Sequence, residues 1–339
     1  MKIAVLAGGL SPERDVSLSS GSLIADALSE NGHRVFLLDV YEGLRELPED
    51  PDTLFRSDRK YEYRIPETVP DLDALRERCG NGSALIGKNV MEVCRRADLV
   101  FLALHGAMGE NGQLQATLDS YGICYTGSGY AGSLLAMDKD LSKRLFRDAG
   151  IPTPDWVYYD TKEGDPHELD AVGFPCVVKP CGCGSSVGVS MADTREERDA
   201  ALRAAGCFGR FVLVEKKIIG RELTVGILDG VALPPVEIIP EKGFYDYKNK
   251  YQGTTREVCP AEIPLAVVRE ISAYAVRGFH ALRLHGYARF DFLMDSAEHL
   301  FCLEGNTLPG MTPTSLLPQA AAAVGISYRE LCERIVRLA

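Results

Sequence analysis

The sequence predicts an α/β chain, with a parallel, Rossmann-like sheet at its amino-terminal end and a mixed α+β part after it. Three observations predict this. An apolar run from Lys2 to Ala7 is followed by a helical stripe of Leu23, Ile24, Ala27 and Leu28, then by a second apolar run from Arg34 to Val40; that is a β-α-β order. Asp229-Gly230 separates two apolar runs, a strong hairpin signal. Tyr287 to Met294 alternates apolar residues with Arg289 and Asp291, turns at Asp295-Ser296, and returns from His299 to Glu304 as a second, half-polar strand.

The 339 residues suffice for two or three domains with their own cores. A net charge of −11 argues against a nucleic-acid partner, which would need a basic face. The first ten residues resemble a short leader, but Ser11-Pro12-Glu13-Arg14-Asp15 follows at once, so a buried first strand is expected. No apolar run approaches the roughly 20 residues that span a bilayer, and no membrane partner is expected. Ten cysteines without a C-x-x-C spacing read as reduced residues of a cytoplasmic protein, Cys124, Cys176 and Cys302 as core. Cys181-Gly182-Cys183 is a weak metal candidate, lacking a second Cys/His cluster.

The remaining elements follow in order. A helix is predicted over Leu18 to Ser29, ended by Asn31-Gly32. Residues from Tyr41 to Arg96, broken by Pro48, Pro51, Pro66 and Pro70, read as a surface excursion with a helix near Lys88 to Arg96. Asp98 to Leu104 is a strand ending at His105 and a Gly-rich turn; Gln113 to Tyr121 is a helix and Ile123 to Thr126 a strand. Ser133 to Ala149 reads as one helix. A strand from Phe174 to Pro180 carries Lys179 into Gly182 to Val189, where backbone N–H groups and the hydroxyls of Ser185 and Ser186 can face phosphate. Beyond lie a helix from Glu196 to Ala205, strands Phe211 to Ile219, Leu223 to Leu228 and Val231 to Ile239, and a polar, aromatic stretch from Gly243 to Glu257. That stretch cannot form a core and is a candidate lid. A helix from Leu265 to Leu284 precedes the half-polar hairpin, and helices over Ser315 to Val324 and Tyr328 to Leu338 close the chain.

The hairpin concentrates the chemistry. Glu304 and Asn306 share a face by the two-residue period of a strand, and Asp291 can lie opposite them. Two carboxylates and an amide oxygen form a hard ligand set suited to Mg²⁺, with Arg289 beside it. Gly310 allows close backbone approach, and a helix start from Thr312 to Leu316 can hold an anion. Glu13, at the carboxyl end of the first strand, stands where open α/β sheets bind ligands. Taken alone, it reads equally well as an exposed loop charge, and His105 as a structural histidine.

Nine separated motifs then occur in one order: GG-x-S-x-E-R-x-V-S, LHG-x-x-GE-x-G, YTGSG, MDK, KP-x-x-x-GSSVGV, EK before G-x-E, YDY-x-x-KY, R-x-D and E-x-NT-x-PGMT. In this the chain resembles the D-alanine–D-alanine ligases of the ATP-grasp superfamily over nearly its whole length, least from Glu42 to Arg96. The resemblance implies a Rossmann-like substrate domain (1–128), a small central ATP-grasp domain (129–218) and a carboxyl-terminal ATP-grasp domain (219–339). It implies ATP-dependent joining of two D-alanines through a D-alanyl phosphate, for peptidoglycan precursors. Lys139 and Lys179 would face the ATP phosphates under the loop of Ser185, Ser186 and Val187. Glu215, Lys216 and Ile218 would meet adenine, and Glu222 the ribose. Asp291, Glu304 and Asn306 would hold two Mg²⁺ or Mn²⁺ ions. Lys250 would contact the transferred phosphate. Glu13 and His105 would hold the first D-alanine, Arg289 and Gly310 the oxyanion, Ser315 and Leu316 the second carboxylate, and Tyr251 would join Glu13 to Ser185. A homodimer is expected. Alternatives are a D-serine or D-lactate acceptor, or a non-catalytic ATP-binding regulator; the Lys250-Tyr251 pair favours D-alanine over D-lactate.

Overall fold

The computed structural model describes residues 1–66, 68–184, 187–240 and 255–339. The β-α-β start is present: β1 (Lys2–Ala7), α1 (Arg14–Glu30) and β2 (Arg34–Asp39), with β1 and β2 parallel. The helix begins four residues before the expected Leu18, because Arg14 to Ser17 are buried against the sheet rather than looped out. The excursion from Tyr41 holds a 3-10 turn (Pro51–Leu54), α2 (Leu72–Cys79), absent from the sequence reading, and the expected α3 (Val90–Arg96). Asp71 caps α2 by accepting from the N–H groups of Asp73 and Ala74. β3 (Leu99–Leu102) completes the order β2-β1-β3.

A one-turn helix α4 (Ala107–Glu110) and α5 (Gln113–Ser120) follow. The strand expected from Ile123 to Thr126 is only a bridge between Tyr125 and Val100, and Cys124 is exposed rather than core. The helix expected from Ser133 to Ala149 is two, α6 (Tyr130–Met137) and α7 (Lys139–Asp148). Asp138 breaks it: its carboxylate accepts from the N–H groups of Asp140 and Leu141 at 3.0 Å, so it caps a new helix.

The second sheet comprises β4 (Trp156–Asp160), β5 (Cys176–Pro180), β6 (Ser190–Ala192) and β7 (Phe211–Lys216), with α8 (Arg195–Gly206) packed on it. Its order is β4-β7-β5-β6, all antiparallel. The third sheet takes β8 (Arg221–Leu228), β9 (Val231–Ala232), β10 (Val236–Pro240), β11 (Thr255–Val258), β12 (Tyr287–Met294) and β13 (Leu300–Asn306). Asp229 and Gly230 both have positive φ, 54° and 72°, as a tight hairpin turn requires. β11 takes the last residues of the candidate lid, pairing with β10 instead of looping; residues 241–254 lie outside the described set.

Helix α9 (Leu265–Ala281) packs under β8 and β12. Phe290 locks the hairpin down: a Cβ on Gly278 or Gly305 would approach its ring to 2.7 or 2.8 Å, so only glycine fits on either side. Closing helices α10 (Leu316–Ala322) and α11 (Tyr328–Arg337) return to the start of the chain. Leu317, Ala320, Leu331 and Ile335 share one buried cluster with Ile3, Val5, Ile24 and Leu28.

Candidate active site

Register places the chemistry on one face of the third sheet. Arg289 pairs with Gly226 and Asn306, Asp291 with Thr224 and Glu304, and Leu293 with Glu222. Ile238 pairs with both Glu222 and Glu257. Side chains at paired positions share a face, so Glu222, Glu257, Arg289, Asp291, Glu304 and Asn306 all project the same way. A bulge between Asp291 and Phe292 lies beside the carboxylates.

Two cavities open on this face. One, of about 720 Å³, is lined by Lys139, Lys179, Glu215, Lys216, Ile218, Glu222 and Asp291, among others. The other, of about 500 Å³, is lined by Glu13, His105, Glu110, Arg289, Asn306, Gly310, Ser315 and Leu316. Lys139 and Glu304 line both. Their side chains form an ion pair at 3.0 Å where the cavities meet. Burial pulls the Lys139 pKa down, but Glu304 outweighs it and holds the ammonium above its ordinary range. Lys139 is also the first residue of α7, and its Nζ donates to the Cys183 carbonyl at 2.8 Å.

In the larger cavity Lys179 points in from β5 and pairs with Glu215 of β7. Burial would raise the Glu215 pKa; Lys143 and Lys179 together overcome it and hold the carboxyl below its usual range. Val187 closes a turn onto the Gly184 carbonyl at 3.1 Å. Ser185, Ser186, Lys250 and Tyr251 lie outside the described residues.

In the smaller cavity Glu13 is the residue before α1 and is 8% exposed, so the loop-charge alternative fails. Gly106, at φ 86°, brings the β3 loop against it; a Cβ there would meet Ser11 Oγ at 2.5 Å. His105 Nδ1 lies 3.1 Å from the Leu308 carbonyl. A carbonyl only accepts, so Nδ1 carries the hydrogen and Nε2 is an acceptor. Nε2 is buried, with no hydrogen-bond partner among the described residues. Burial lowers the His105 pKa, which keeps the ring neutral near pH 7. Glu110, unassigned by the sequence reading, accepts from the Gly106 N–H at 2.7 Å. Burial, aided by the Glu13 charge, pushes its pKa up to about 8.

The hairpin oxygens are already engaged. Asp291 accepts from Arg289 Nε and Nη2 at 2.9 Å each, from Thr224 Oγ1 at 2.7 Å and from Asn306 Nδ2 at 2.9 Å. Among the described residues no three His, Cys, Asp or Glu side chains gather as a metal nest. Asp291, Glu304 and Asn306 still supply hard oxygens on adjacent strands, the donor chemistry that Mg²⁺ takes. The Asn306 amide that donates to Asp291 leaves its carbonyl oxygen for such an ion. The helix start expected within Thr312 to Leu316 falls at Leu316, with Ser315 as its cap residue. Before it, Thr312 and Ser315 tie the turn through Oγ1 and Oγ at 2.8 Å, and Ser315 Oγ accepts from the Thr312 N–H at 3.1 Å. A Cβ at Gly310 would reach that same Oγ at 2.9 Å. Glu257 was also missed; it lines this cavity from β11 and accepts from Gln319 Nε2 of α10.

Two family models match the chain, the D-ala D-ala ligase N-terminus over residues 2–128 and the D-ala D-ala ligase C-terminus over residues 145–337. A D-alanine–D-alanine ligase of Pediococcus pentosaceus is 43% identical over 99% of this chain and 97% of its own. One of Lawsonia intracellularis is 38% identical over 100% and 98%. Among solved structures, the D-alanine–D-alanine ligase of Bacillus anthracis complexed with ATP superimposes with a TM-score of 0.78 at 31% identity, over 100% of this chain and 97% of that one. The VanG D-Ala:D-Ser ligase of Enterococcus faecalis also gives 0.78, at 26% identity over 99% and 98%.

Proposed function

The chain belongs to the D-alanine–D-alanine ligase family, and on that premise we propose that it joins two D-alanines at the expense of ATP to supply peptidoglycan precursors. The reaction has two halves. The carboxylate of the first D-alanine attacks the γ-phosphorus of ATP, giving D-alanyl phosphate and ADP. The neutral amine of the second attacks that acyl carbon, and the tetrahedral species expels phosphate.

One observation carries the reading: two cavities, one suited to a nucleotide and one to small amino acids, meet at Lys139 and Glu304. Phosphoryl transfer needs a phosphate and a carboxylate side by side, and both are anions. Lys139 and Lys179 offset their repulsion. Glu222 suits the ribose, while Lys216 and Ile218 flank the adenine position. Glu13 and His105 Nε2 would accept from the first ammonium; among the described residues Nε2 has no donor. Arg289 and the Gly310 N–H suit the developing oxyanion, and Ser315 with Leu316 the second carboxylate. Asp291, Glu304 and Asn306 would hold two Mg²⁺ or Mn²⁺ ions, which neutralise phosphate charge when bound. Ser185, Ser186 and Val187 would cover the phosphates, with Lys250 and Tyr251 contributed by the lid.

Three domains, 1–128, 129–218 and 219–339, fit the three sheets. The protein is proposed to work in the cytoplasm as a homodimer; no helix among the described residues is long and apolar enough to cross a membrane. D-Alanine is the preferred acceptor, as named for the relatives of 38–43% identity. The test is phosphate release from ATP and Mg²⁺ with and without D-alanine, with mass detection of products from D-alanine, D-serine and D-lactate. Release that ignores D-alanine would sink the ligase reading in favour of another ATP-binding role.

A further inference from the structure

One buried charge in the nucleotide half has no part in the scheme above. Lys143 lies on α7, one turn after Lys139, and its side chain is fully enclosed. Its ammonium donates to Thr153 Oγ1 at 2.7 Å and lies 3.0 Å from Glu215 Oε2. The Trp156 ring stands 5.0 Å away. The other Glu215 oxygen faces Lys179, whose side chain enters the nucleotide cavity. Three elements thus contribute a buried row, Lys143–Glu215–Lys179, carrying one net positive charge.

We propose that Lys143 is a positioning residue for the nucleotide: it holds Glu215 from behind, so that Lys179 is not neutralised and the cavity floor stays one charge positive for the phosphates. The inference rests on the ATP reading above. One carboxylate can neutralise one ammonium. With Lys143 present, Glu215 is shared between two cations, and the surplus charge sits on the side open to ligand. Without it, Glu215 and Lys179 form a closed neutral pair. Burial, joined by the nearby Lys179 charge, holds the Lys143 pKa below its ordinary range, and Glu215 opposes that shift by favouring the ammonium. An enclosed ion row is a poor way to stabilise a fold, since apolar side chains of similar volume often do as well or better. A role in ligand charge accounts for it.

The effect must therefore scale with phosphate charge. We would titrate full-length Lys143→Gln and Lys143→Met against adenosine and against ATP with Mg²⁺. The expected result is about tenfold weaker ATP binding, from one charge removed at close range in partly screened surroundings, with adenosine unchanged within about twofold. Equal weakening of both ligands, or unchanged ATP binding, overturns the proposal. Thr153→Val keeps the charge and removes only a hydrogen bond, so ATP affinity should stay within about twofold of wild type. A tenfold loss there overturns the charge argument even if neither Lys143 variant folds. Wild-type protein that binds no ATP would instead overturn the function on which this rests.

Discussion

Two carboxylates, Glu215 buried and Glu110 half-buried, line the two cavities under opposite regimes. Glu215, in the nucleotide half, lies between Lys143 and Lys179, and its pKa is held below the usual range. Glu110, in the amino-acid half, has a backbone N–H and the nearby charge of Glu13, and its pKa rises to about 8. Both side chains are desolvated; what differs is the sign of the neighbours. On the proposed assignment the nucleotide half would keep a fixed charge pattern for a polyanion, and the amino-acid half would gather acceptors for an ammonium, with Glu110 keeping its proton near neutrality.

The largest expected effect lies where the halves meet. Glu304→Gln should fold but lose about a hundredfold or more in turnover, since an amide cannot balance Lys139 or a metal charge. Phosphate release near the wild-type rate from the folded variant would contradict that. Glu215→Gln should cost about 3–5 kcal/mol of stability, because it leaves two buried ammonium groups without a counter-charge. Urea unfolding measures this, and a loss under about 1 kcal/mol would mean the lysines find other partners.

Glu110→Gln should act through pH. The folded-state pKa of about 8 lies above the ordinary 4.5, so the folded state binds the extra proton. Wild-type stability attributable to this group is complete below about pH 4.5 and is lost as pH rises through about 8. The variant lacks that loss. Relative to wild type it should gain about 2 kcal/mol between pH 5 and pH 9, allowing for a half-buried site. A wild-type-to-variant difference that stays constant across urea melts at pH 5, 7 and 9 would remove the contrast with Glu215. Smallest of all, the double variant Cys181→Ala, Cys183→Ala should keep activity within about twofold. Burial raises both thiol pKa values, Cys181 to about 12, so they are poor thiolates at neutral pH. Lys139 contacts these residues through their carbonyl oxygens. A tenfold loss would give the thiols a role of their own.

Legibility in the sequence followed the range of the forces involved. β1 and β12 begin and end where expected, because a buried or half-buried strand writes its period directly into the chain. The break at Asp138 was hidden, since the apolar pattern runs on through it and only the cap marks it. β4 and the three-residue β6 were missed; the first is exposed along part of its length and preceded by prolines, and the second is too short to show a period. Asp291, Glu304 and Asn306 could be placed on one face from spacing alone, and register confirms that face. Glu110 and Lys143 could not be singled out, because their properties come from burial and from partners distant in sequence. Residues named from the resemblance, among them Glu13, His105, Lys139, Lys179 and Arg289, line the two cavities, but the resemblance does not convey which charges stand behind the walls.

The packing of α10 and α11 has a consequence for synthesis. Leu317, Ala320, Leu331 and Ile335, near the end of the chain, complete the apolar cluster around Ile3, Val5, Ile24 and Leu28, near its beginning. The β2-β1-β3 sheet therefore leaves the ribosome before α10 and α11, and until they arrive it exposes the surface they will cover. A chain stopped before α10 would leave the cluster around Ile3, Val5, Ile24 and Leu28 uncovered, so such a product should be recognised by quality control through that exposed surface.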